Sequence, residues 1–290
     1  MTASVLYPAQ CILGEGPIWH GERNSCFWAD IEGMMLYEYN TETKRMESWK
    51  FKHRISLAVP YDEINLLIAF QGGLAKFDLN TGAFTELLDI DKEIRDNRCN
   101  DGACDSEGRL WIGTMNTYLT QGAGSLYCVD KNFVLKKKLE HVSISNGLTW
   151  SPDNKTLYYI DSPSQMVQAF SFDAESGDIT FQRKAIGIPS EMGTPDGMAI
   201  DEEGMLWIAH WGGFGVYRWN PLNGKLINKI EVPAPQVSSC AFCGKDMDEL
   251  IITTARENMT MEEWKKYPHS GDVFIAKPGV KGIAANKCRL

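Results

Sequence analysis

Short apolar segments separated by turn residues run through the whole chain. Val, Ile, Leu, Trp and Tyr cluster in these segments, and Gly, Asn, Asp and Pro fall between them. No apolar repeat of ~3.6 residues extends through the sequence, so the pattern favours strands over helices. The predicted class is all-β.

One strand-turn-strand pattern returns at constant offsets. The matching positions are Asn100, Asp105, Gly108 and Trp111 in one copy and Asp196, Asp201, Gly204 and Trp207 in another. Asn146 begins a third copy, which has one extra residue in its turn, and weaker copies begin at Glu15, Ser56 and Ser239.

The six copies have the spacing of a radial repeat. Their first positions, 15, 56, 100, 146, 196 and 239, lie 41, 44, 46, 50 and 43 residues apart, which matches the size of a propeller blade. We predict a six-bladed β-propeller with four-stranded blades, formed by residues 1–290 as a single domain. The segment Ser4–Tyr7 precedes the first copy, and we expect it to pair with the last blade and close the ring, because closure removes an exposed edge.

Each copy begins with an oxygen-bearing side chain at the head of an otherwise apolar strand: Glu15, Ser56, Asn100, Asn146, Asp196 and Ser239. The first strand of each blade lines the central channel, so these positions should converge on the axis. Asn146-Gly147 and Asp196-Gly197 could instead be plain turn dipeptides. The polar residue precedes its strand by the same count in the four clear copies, and we therefore favour a functional ring.

The two carboxylates of this ring predict a bound cation. Glu15 and Asp196 would repel each other and resist desolvation in a channel, and a divalent cation is the simplest compensation. Carboxylate and amide oxygens suit calcium, magnesium or manganese, and zinc and Fe(II) also accept them. The sequence leaves the identity of the metal open.

The chain resembles the SMP-30/gluconolactonase/luciferin-regenerating-enzyme family. Five motifs carry the resemblance in order: Gly14-Glu15-Gly16-Pro17, Arg98-Cys99-Asn100-Asp101-Gly102, Gly113-Thr114-Met115, Ser145-Asn146-Gly147-Leu148 and Pro195-Asp196-Gly197-Met198. Later segments, including Trp211-Gly212-Gly213-Phe214-Gly215, are similar to the bacterial sugar-lactonase branch and its xylonolactonases. The resemblance implies that Glu15, Asn146 and Asp196 bind the metal and that Asp196 is the favoured general base. It also implies that Asn100 lies close to the metal and shares in substrate or water contacts.

The resemblance also implies substrate contacts. Arg98 matches the family's contact to a substrate hydroxyl or carboxylate, with a surface or interblade salt bridge as the alternative. Arg98 and Asn100 are two residues apart, so an extended strand would put them on the same side. The animal branch has a glutamate pair shortly after Gly-Thr-Met, but Asn116, Thr117 and Tyr118 follow here. We expect a polar role in substrate binding for Asn116 or Tyr118.

The implied reaction is hydrolysis of a sugar lactone, such as gluconolactone or xylonolactone, to the aldonic acid by metal-activated water. This is the chemistry of a carboxylic ester hydrolase. An arylesterase or organophosphate hydrolase on the same site is one alternative, and a non-catalytic propeller scaffold is another. A nucleophilic serine is less favoured because the sequence has no Gly-x-Ser-x-Gly elbow.

Composition limits the partners. The net charge is −9 and the Lys and Arg residues are scattered, so nucleic-acid binding is not expected. No basic leader and no run of ~18 apolar residues occurs, so we expect no membrane association and a cytoplasmic location. The expected partner is a small-molecule sugar lactone, bound by a monomer or a weak homo-oligomer.

Cysteines and histidines add no assigned site. Most of the eight cysteines are expected to be small buried hydrophobes. Cys240 and Cys243 form a lone C-x-x-C, for which zinc or redox chemistry is the minor alternative because a second ligand pair is missing. None of the five histidines has metal-motif spacing. His210 could approach the channel mouth or pack as a structural histidine.

Overall fold

Six four-stranded antiparallel sheets make up nearly all the regular structure of the computed structural model, which describes residues 1–290. The strands of the first three sheets are β2 Gly14–His20, β3 Ser25–Asp30, β4 Met35–Asn40, β5 Met46–Lys50; β6 Ile55–Pro60, β7 Asn65–Phe70, β8 Gly73–Asp78, β9 Phe84–Asp89; and β10 Asn97–Cys104, β11 Leu110–Asn116, β12 Gly124–Val129, β13 Leu135–Val142. Those of the other three are β14 Ser145–Trp150, β15 Thr156–Asp161, β16 Met166–Asp173, β17 Asp178–Gly187; β18 Thr194–Ile200, β19 Leu206–Trp211, β20 Gly215–Asn220, β21 Lys225–Glu231; and β22 Val237–Cys243, β23 Glu249–Thr254, β24 Val273–Ala276, with β1 Ser4–Tyr7.

The sheets are the blades of a six-bladed β-propeller, as predicted. In five blades the four strands are consecutive in the chain, with the first strand at the axis and the fourth at the rim. The first strand of every blade contacts the first strands of both neighbouring blades, so six inner strands surround the axis. Blades 1 to 6 are numbered here by their inner strands, β2, β6, β10, β14, β18 and β22.

The N-terminal strand closes the ring. Blade 6 has the order β22-β23-β24-β1, and β1 pairs antiparallel with β24 through Val5 opposite Phe274 and Tyr7 opposite Val273. This confirms the predicted role of Ser4–Tyr7. The edge of β24 is covered by the chain's own start, and the two ends of the propeller are joined without a covalent link.

The apolar cores lie between neighbouring blades. The second strands β3 and β11 are buried along their whole length, whereas the rim strands β9 and β21 are mostly exposed. Trp28, Trp111 and Trp207 occupy second strands and are fully buried. Trp111 packs edge-on against Trp150 of the next blade, with ring centroids 5.9 Å apart. Such contacts fix each blade against its neighbour.

The repeated Asp-x-x-Gly-x-x-Trp offset builds the turn between the first and second strands. The Asp105 carboxylate accepts the backbone N–H groups of Glu107 and Arg109 and the indole N–H of Trp111. Asp201 does the same for Glu203, Met205 and Trp207. Each aspartate also pairs with an arginine, Arg109 or Arg218. One buried side chain therefore shapes the turn and holds the tryptophan.

Short helices and the C-terminal tail complete the structure. Helix α1 spans Met261–Lys266, and 3₁₀ turns span Ser162–Ser164 and Ser190–Met192. Residues 277–290 cross the end of the channel formed by the strand turns, where Ile283 N–H donates to the Ile200 carbonyl and Arg289 N–H to that of Gly108. The opposite end, where the inner strands begin, stays open.

All eight cysteines are buried free thiols. Cys240 and Cys243 lie in different apolar clusters, Cys240 with Trp207 and Cys243 with Cys26. The prediction that most cysteines act as small hydrophobes is confirmed. No helix in the structure combines the length and apolar character needed to cross a membrane.

Candidate functional site

A β-bulge at the head of each inner strand turns the predicted ring residues toward the axis. In blades 1, 3, 4 and 5 the inner strand has one extra residue relative to the second strand at this point. The bulge contains Asn100 in blade 3, Asn146 in blade 4 and Asp196 in blade 5, and it begins directly after Glu15 in blade 1. Blades 2 and 6 have bulges next to Ser56 and Ser239. A bulge bends a strand and redirects its side chains, so the constant sequence offset reflects a constant backbone irregularity.

Four of the six ring residues line one cavity at the open end of the channel. Its volume is about 320 Å³. The lining residues are Leu13, Glu15, Arg98, Asn100, Met115, Leu119, Ile144, Asn146, Ser162, Thr194, Pro195, Asp196, Trp211, Glu257 and Asn258. Glu15, Asn146 and Asp196, far apart in the chain, therefore meet here as the sequence predicted.

Two of the three carboxylates that line the cavity, those of Glu15 and Asp196, are buried and poorly satisfied. Glu15 accepts a hydrogen bond of 3.2 Å from Gly16 N–H, and Oδ1 of Asp196 is buried with no hydrogen-bond partner. Burial, together with the charge of Asp101, raises the pKa of Glu15 to about 8. Burial and the nearby charge of Glu15 raise the pKa of Asp196 well above its usual value. Both pKa shifts arise mainly because burial disfavours a charged carboxylate, and nearby negative charge adds to the effect.

The Asn146 amide is held in one orientation. Its Nδ2 donates to Ser162 Oγ at 2.7 Å, and that hydroxyl donates to the Pro195 carbonyl at 2.6 Å. Its Oδ1 accepts from Asn100 Nδ2 at 2.9 Å. The hydroxyl proton of Ser162 is committed to Pro195, so Ser162 can only accept from Asn146. The network turns the amide oxygen toward the ring.

Arg98 is a buried cation without a carboxylate partner. Its side chain lines the cavity beside Asn100, and Nη1 donates to the Cys99 carbonyl at 3.0 Å and to Asn100 Oδ1. No Asp or Glu oxygen lies within 4.0 Å of it, so it is not the interblade salt bridge considered as an alternative. Burial lowers the pKa of Arg98. Its remaining nitrogens have no partner in the protein and are free to bind a ligand.

The structure does not bring Asn116 and Tyr118 into the cavity. Asn116 donates to Asn97 Oδ1 and accepts from Tyr118 N–H and Thr120 Oγ1, so its amide stabilises its own loop. Tyr118 is 78% exposed. Met115 and Leu119 are the residues of this segment that line the cavity. The side chains that this segment contributes to the cavity are therefore apolar.

The two serines of the ring lie outside this cavity. Ser239 lines a second cavity of about 220 Å³, which lies under the C-terminal tail. Asp101 lines this second cavity too. Oγ of Ser56 is buried without a partner. Burial raises the pKa of Asp101 to about 6. The ring is thus split between two levels of the channel, and the metal-ligand candidates share the open level.

His210 is a packed residue and does not reach the cavity. Its ring stacks on Tyr217 with centroids 4.0 Å apart, and Nδ1 bonds to the Met192 carbonyl at 2.9 Å. Burial lowers the pKa of His210 to about 4, so the ring is neutral at pH 7. The structural alternative considered for His210 is the one observed.

Ser162 and Glu257 line the cavity but were not among the predicted site residues. Ser162 directly follows the second strand β15, and Glu257 comes three residues after the end of the second strand β23. The end of a second strand lies beside the head of the first strand in an antiparallel hairpin. A search of residues just after each second strand, and not only at the first-strand heads, would have found them.

The donor set fits a divalent cation. An orphaned oxygen of Asp196, a nearly unpartnered Glu15 carboxylate and an oriented Asn146 amide oxygen face the same space. The negative charges around these donors, including Glu257 of the same cavity, exceed the single nearby cation, Arg98. A divalent ion would offset part of this excess, and oxygen donors suit calcium, magnesium or manganese.

Sequence comparisons identify relatives over nearly the whole chain. A sequence model described as the SMP-30/Gluconolactonase/LRE-like region matches residues 13–256. The putative sugar lactone lactonase YvrE of Bacillus subtilis (strain 168) is 37% identical over 278 residues, covering 96% of this chain and 95% of that protein. Regucalcin of Oryctolagus cuniculus is 35% identical over 288 residues, covering 95% and 94%.

Solved structures agree with the sequence relatives. The calcium-binding protein regucalcin from Agrobacterium tumefaciens has a TM-score of 0.95 and 31% identity, covering 100% of this chain and 98% of that one. A gluconolactonase from Xanthomonas campestris has a TM-score of 0.74 at 22% identity, covering 93% and 87%, and shares the fold. The family match contains all three metal-ligand candidates and the relatives match almost end to end, so the chain belongs to the SMP-30/gluconolactonase/LRE-like family.

Proposed function

We propose that this protein hydrolyses a sugar lactone to its aldonic acid with the help of a divalent cation. The observation that carries the proposal is the convergence of Glu15, Asn146 and Asp196 in one cavity, with an oxygen of Asp196 left without a partner. Membership of a family that includes a putative sugar lactone lactonase supports the same reaction.

The lining of the cavity favours a hydroxylated ring as the substrate. Nine of its fifteen residues are polar or charged, and the volume of about 320 Å³ suits a small ligand. The wall also has apolar side chains, among them Leu13, Ile144 and Trp211, and an aryl ester or organophosphate would depend on these. Polar groups on the wall can each pair with a substrate hydroxyl.

Glu15, Asn146 and Asp196 would hold the cation. When bound, a divalent cation polarises a carbonyl group and lowers the pKa of water at the site. Calcium is one candidate because the Agrobacterium relative is described as calcium-binding, and the oxygen donors also suit magnesium and manganese and accept zinc or Fe(II).

Arg98 and Asn100 would orient the substrate. The free guanidinium nitrogens of Arg98 would donate to an oxygen of the lactone. The Asn100 amide holds the neighbouring side chains in place, because it accepts a hydrogen bond from Arg98 and donates one to Asn146. Asp196 would take a proton from water, although a carboxylate that binds a cation is a weaker base than a free one. Asp196 is therefore required in either role.

Metal analysis coupled to a substrate panel tests the proposal. The purified protein should contain or bind about one divalent cation per chain, and acid release from aldonolactones at neutral pH should exceed spontaneous opening and stop with chelator. Faster turnover of an aryl ester or organophosphate than of every lactone would favour the alternative hydrolase. A chain that binds no divalent cation and hydrolyses none of these compounds would contradict the proposal and favour a scaffold.

Asp196→Ala should abolish lactone turnover in a folded protein. We expect kcat/KM to fall by ~10²–10³ or more, the range for losing one electrostatic stabiliser of a transition state. Asp246→Ala, on the surface, is the control and should keep full activity. Unchanged hydrolysis by Asp196→Ala with the cation still bound would refute its assignment.

A further inference from the structure

Glu257 is an anionic side chain of the cavity wall that the proposed chemistry does not use. It follows β23 on the open end of the channel and lines the same cavity as Glu15 and Arg98. It is half-buried, and its carboxylate makes no hydrogen bond and no ion pair in the protein. A partly desolvated carboxylate without a partner is costly unless something else pairs with it.

The backbone around Glu257 is held in place from two sides. Arg256 N–H donates to the Ile12 carbonyl, and Gln236 Nε2 donates to the Glu257 carbonyl at 3.0 Å. The Arg256 guanidinium lies over the Trp264 ring at 4.5 Å. The loop therefore presents the Glu257 side chain from a fixed support, which is what selective recognition requires.

The neighbouring cations are not available to pair with Glu257. Arg54 is committed to a two-point ion pair with Glu32 at 2.8 and 2.9 Å and to Gln71 at 3.2 Å. Arg98 donates to Asn100 and Cys99 and lies more than 4.0 Å from any carboxylate. The cavity wall therefore carries a free donor, Arg98, and a free acceptor, Glu257, that do not satisfy each other.

We propose that Glu257 is a specificity-determining residue, which accepts a hydrogen bond from a ring hydroxyl of the substrate and repels the carboxylate of the product. This rests on the proposed function. A neutral hydroxylated lactone can accept a hydrogen bond from Arg98 and donate one from a hydroxyl group to Glu257. The ring-opened product has a negative charge in a space that already contains Glu15, Asp196 and Glu257. Its charge is attracted by Arg98 but opposed by Glu257.

Glu257→Gln in the metal-loaded protein tests this proposal, because the change keeps the shape and removes the charge. We expect kcat/KM for glucono-δ-lactone to fall about tenfold or more, the effect of one hydrogen bond to a charged acceptor. Turnover of δ-valerolactone, which has no hydroxyl, should stay within about twofold. Gluconate should inhibit the variant at least about threefold more strongly than the wild type. The matched control is Glu262→Gln, on the exposed face of α1 and outside the cavity, which should change none of these values.

A binding measurement separates this proposal from the proposed function. 1,5-Anhydroglucitol has the hydroxylated ring without an ester, and calorimetric titration of the metal-loaded protein should give an affinity about fivefold or more weaker for Glu257→Gln. This result would support Glu257 as a hydroxyl acceptor even if no lactone were hydrolysed. Equal losses on both lactones, or an unchanged affinity for 1,5-anhydroglucitol, would overturn the proposal.

Discussion

The Ser162 hydroxyl and the Asn100 amide together fix the orientation of the Asn146 side-chain amide. Ser162 Oγ donates to the Pro195 carbonyl and accepts from Asn146 Nδ2. An amide that rotated by half a turn would bring two acceptors together at Ser162 and turn its N–H group toward the carboxylate side. The same hydroxyl joins blade 4 to the residue before Asp196 in blade 5. The Ser162 hydroxyl thus contributes both to the orientation of Asn146 and to the contact between blades 4 and 5.

Ser162→Ala should weaken cation binding without unfolding the protein. The variant leaves Asn146 Nδ2 and the Pro195 carbonyl without a partner, and loss of such supporting contacts reduces metal affinity ~10–100-fold. Ser164→Ala is the matched control, since Ser164 lies in the same 3₁₀ turn and bonds only to the Asp161 carbonyl. Calorimetric titration with the divalent cation measures both. Equal affinity in the two variants would show that Ser162 does not orient the ligand.

At the scale of strands and turns, blades 3 and 5 share a buried aspartate that holds the turn between their first two strands. Asp201 is fully buried, accepts two backbone N–H groups and the Trp207 indole, and pairs with Arg218. Removing one partner of a buried pair is far more costly than the pair's net contribution, because the other charge is left desolvated. The turn, the tryptophan and the third strand of blade 5, β20, therefore depend on this carboxylate.

Asp201→Ala should destabilise the protein by ~3–5 kcal/mol. Glu203→Ala removes the other, 63% exposed partner of the same arginine, and should cost less than ~1 kcal/mol. Urea unfolding measures both, and the activity of the folded fraction should be unchanged in each. Similar losses for the two variants would mean that Arg218, and not the turn, limits stability.

Blades 3 and 5 were predictable from the sequence because both contain the Asp-x-x-Gly-x-x-Trp offset. The polar residue at each strand head is a second contiguous signal, and it located blade 4 and most of the metal-ligand candidates. Ser162 and Glu257 were not predictable in this way, since they reach the cavity from second-strand ends whose position depends on hairpin pairing. We expected Asn116 to contact the substrate through its polar side chain, but its amide makes hydrogen bonds within its own loop.

The whole propeller is arranged around negative charge on its axis. Glu15 and Asp196 come from blades 1 and 5, and Asp101 lies between them from blade 3 at the level of the second cavity. The chain as a whole has a net charge of −9, so distant residues do not offset this repulsion. Closure by β1 holds blade 6 against blade 1 and thereby keeps the carboxylates together. Stability and cation binding must therefore be coupled.

This coupling predicts a pH dependence of stability that the cation reverses. The pKa of Glu15 is about 8 in the folded protein against a usual value of 4.5. Between these values the folded protein binds a proton that the unfolded chain has lost, so the free energy of unfolding falls as pH rises and levels off above about 8. The raised pKa of Asp196 acts with the same sign. With chelator present, the wild type should therefore lose more stability than Glu15→Gln when the pH rises from 5 to 8. The free energy of unfolding of the variant, relative to that of the wild type, should be higher at pH 8 than at pH 5.

Added divalent cation should remove this advantage, because it binds the deprotonated carboxylates and only the wild type has both. At a free concentration of ~100 times its dissociation constant, the cation should add ~2.7 kcal/mol to the wild type and much less to Glu15→Gln, with the larger gain at the higher pH. Urea titrations at several pH values, with chelator and with cation, measure the effect. Parallel pH profiles for the two proteins in chelator would contradict the prediction, since they would mean that Glu15 is already ionised at no cost in the folded state.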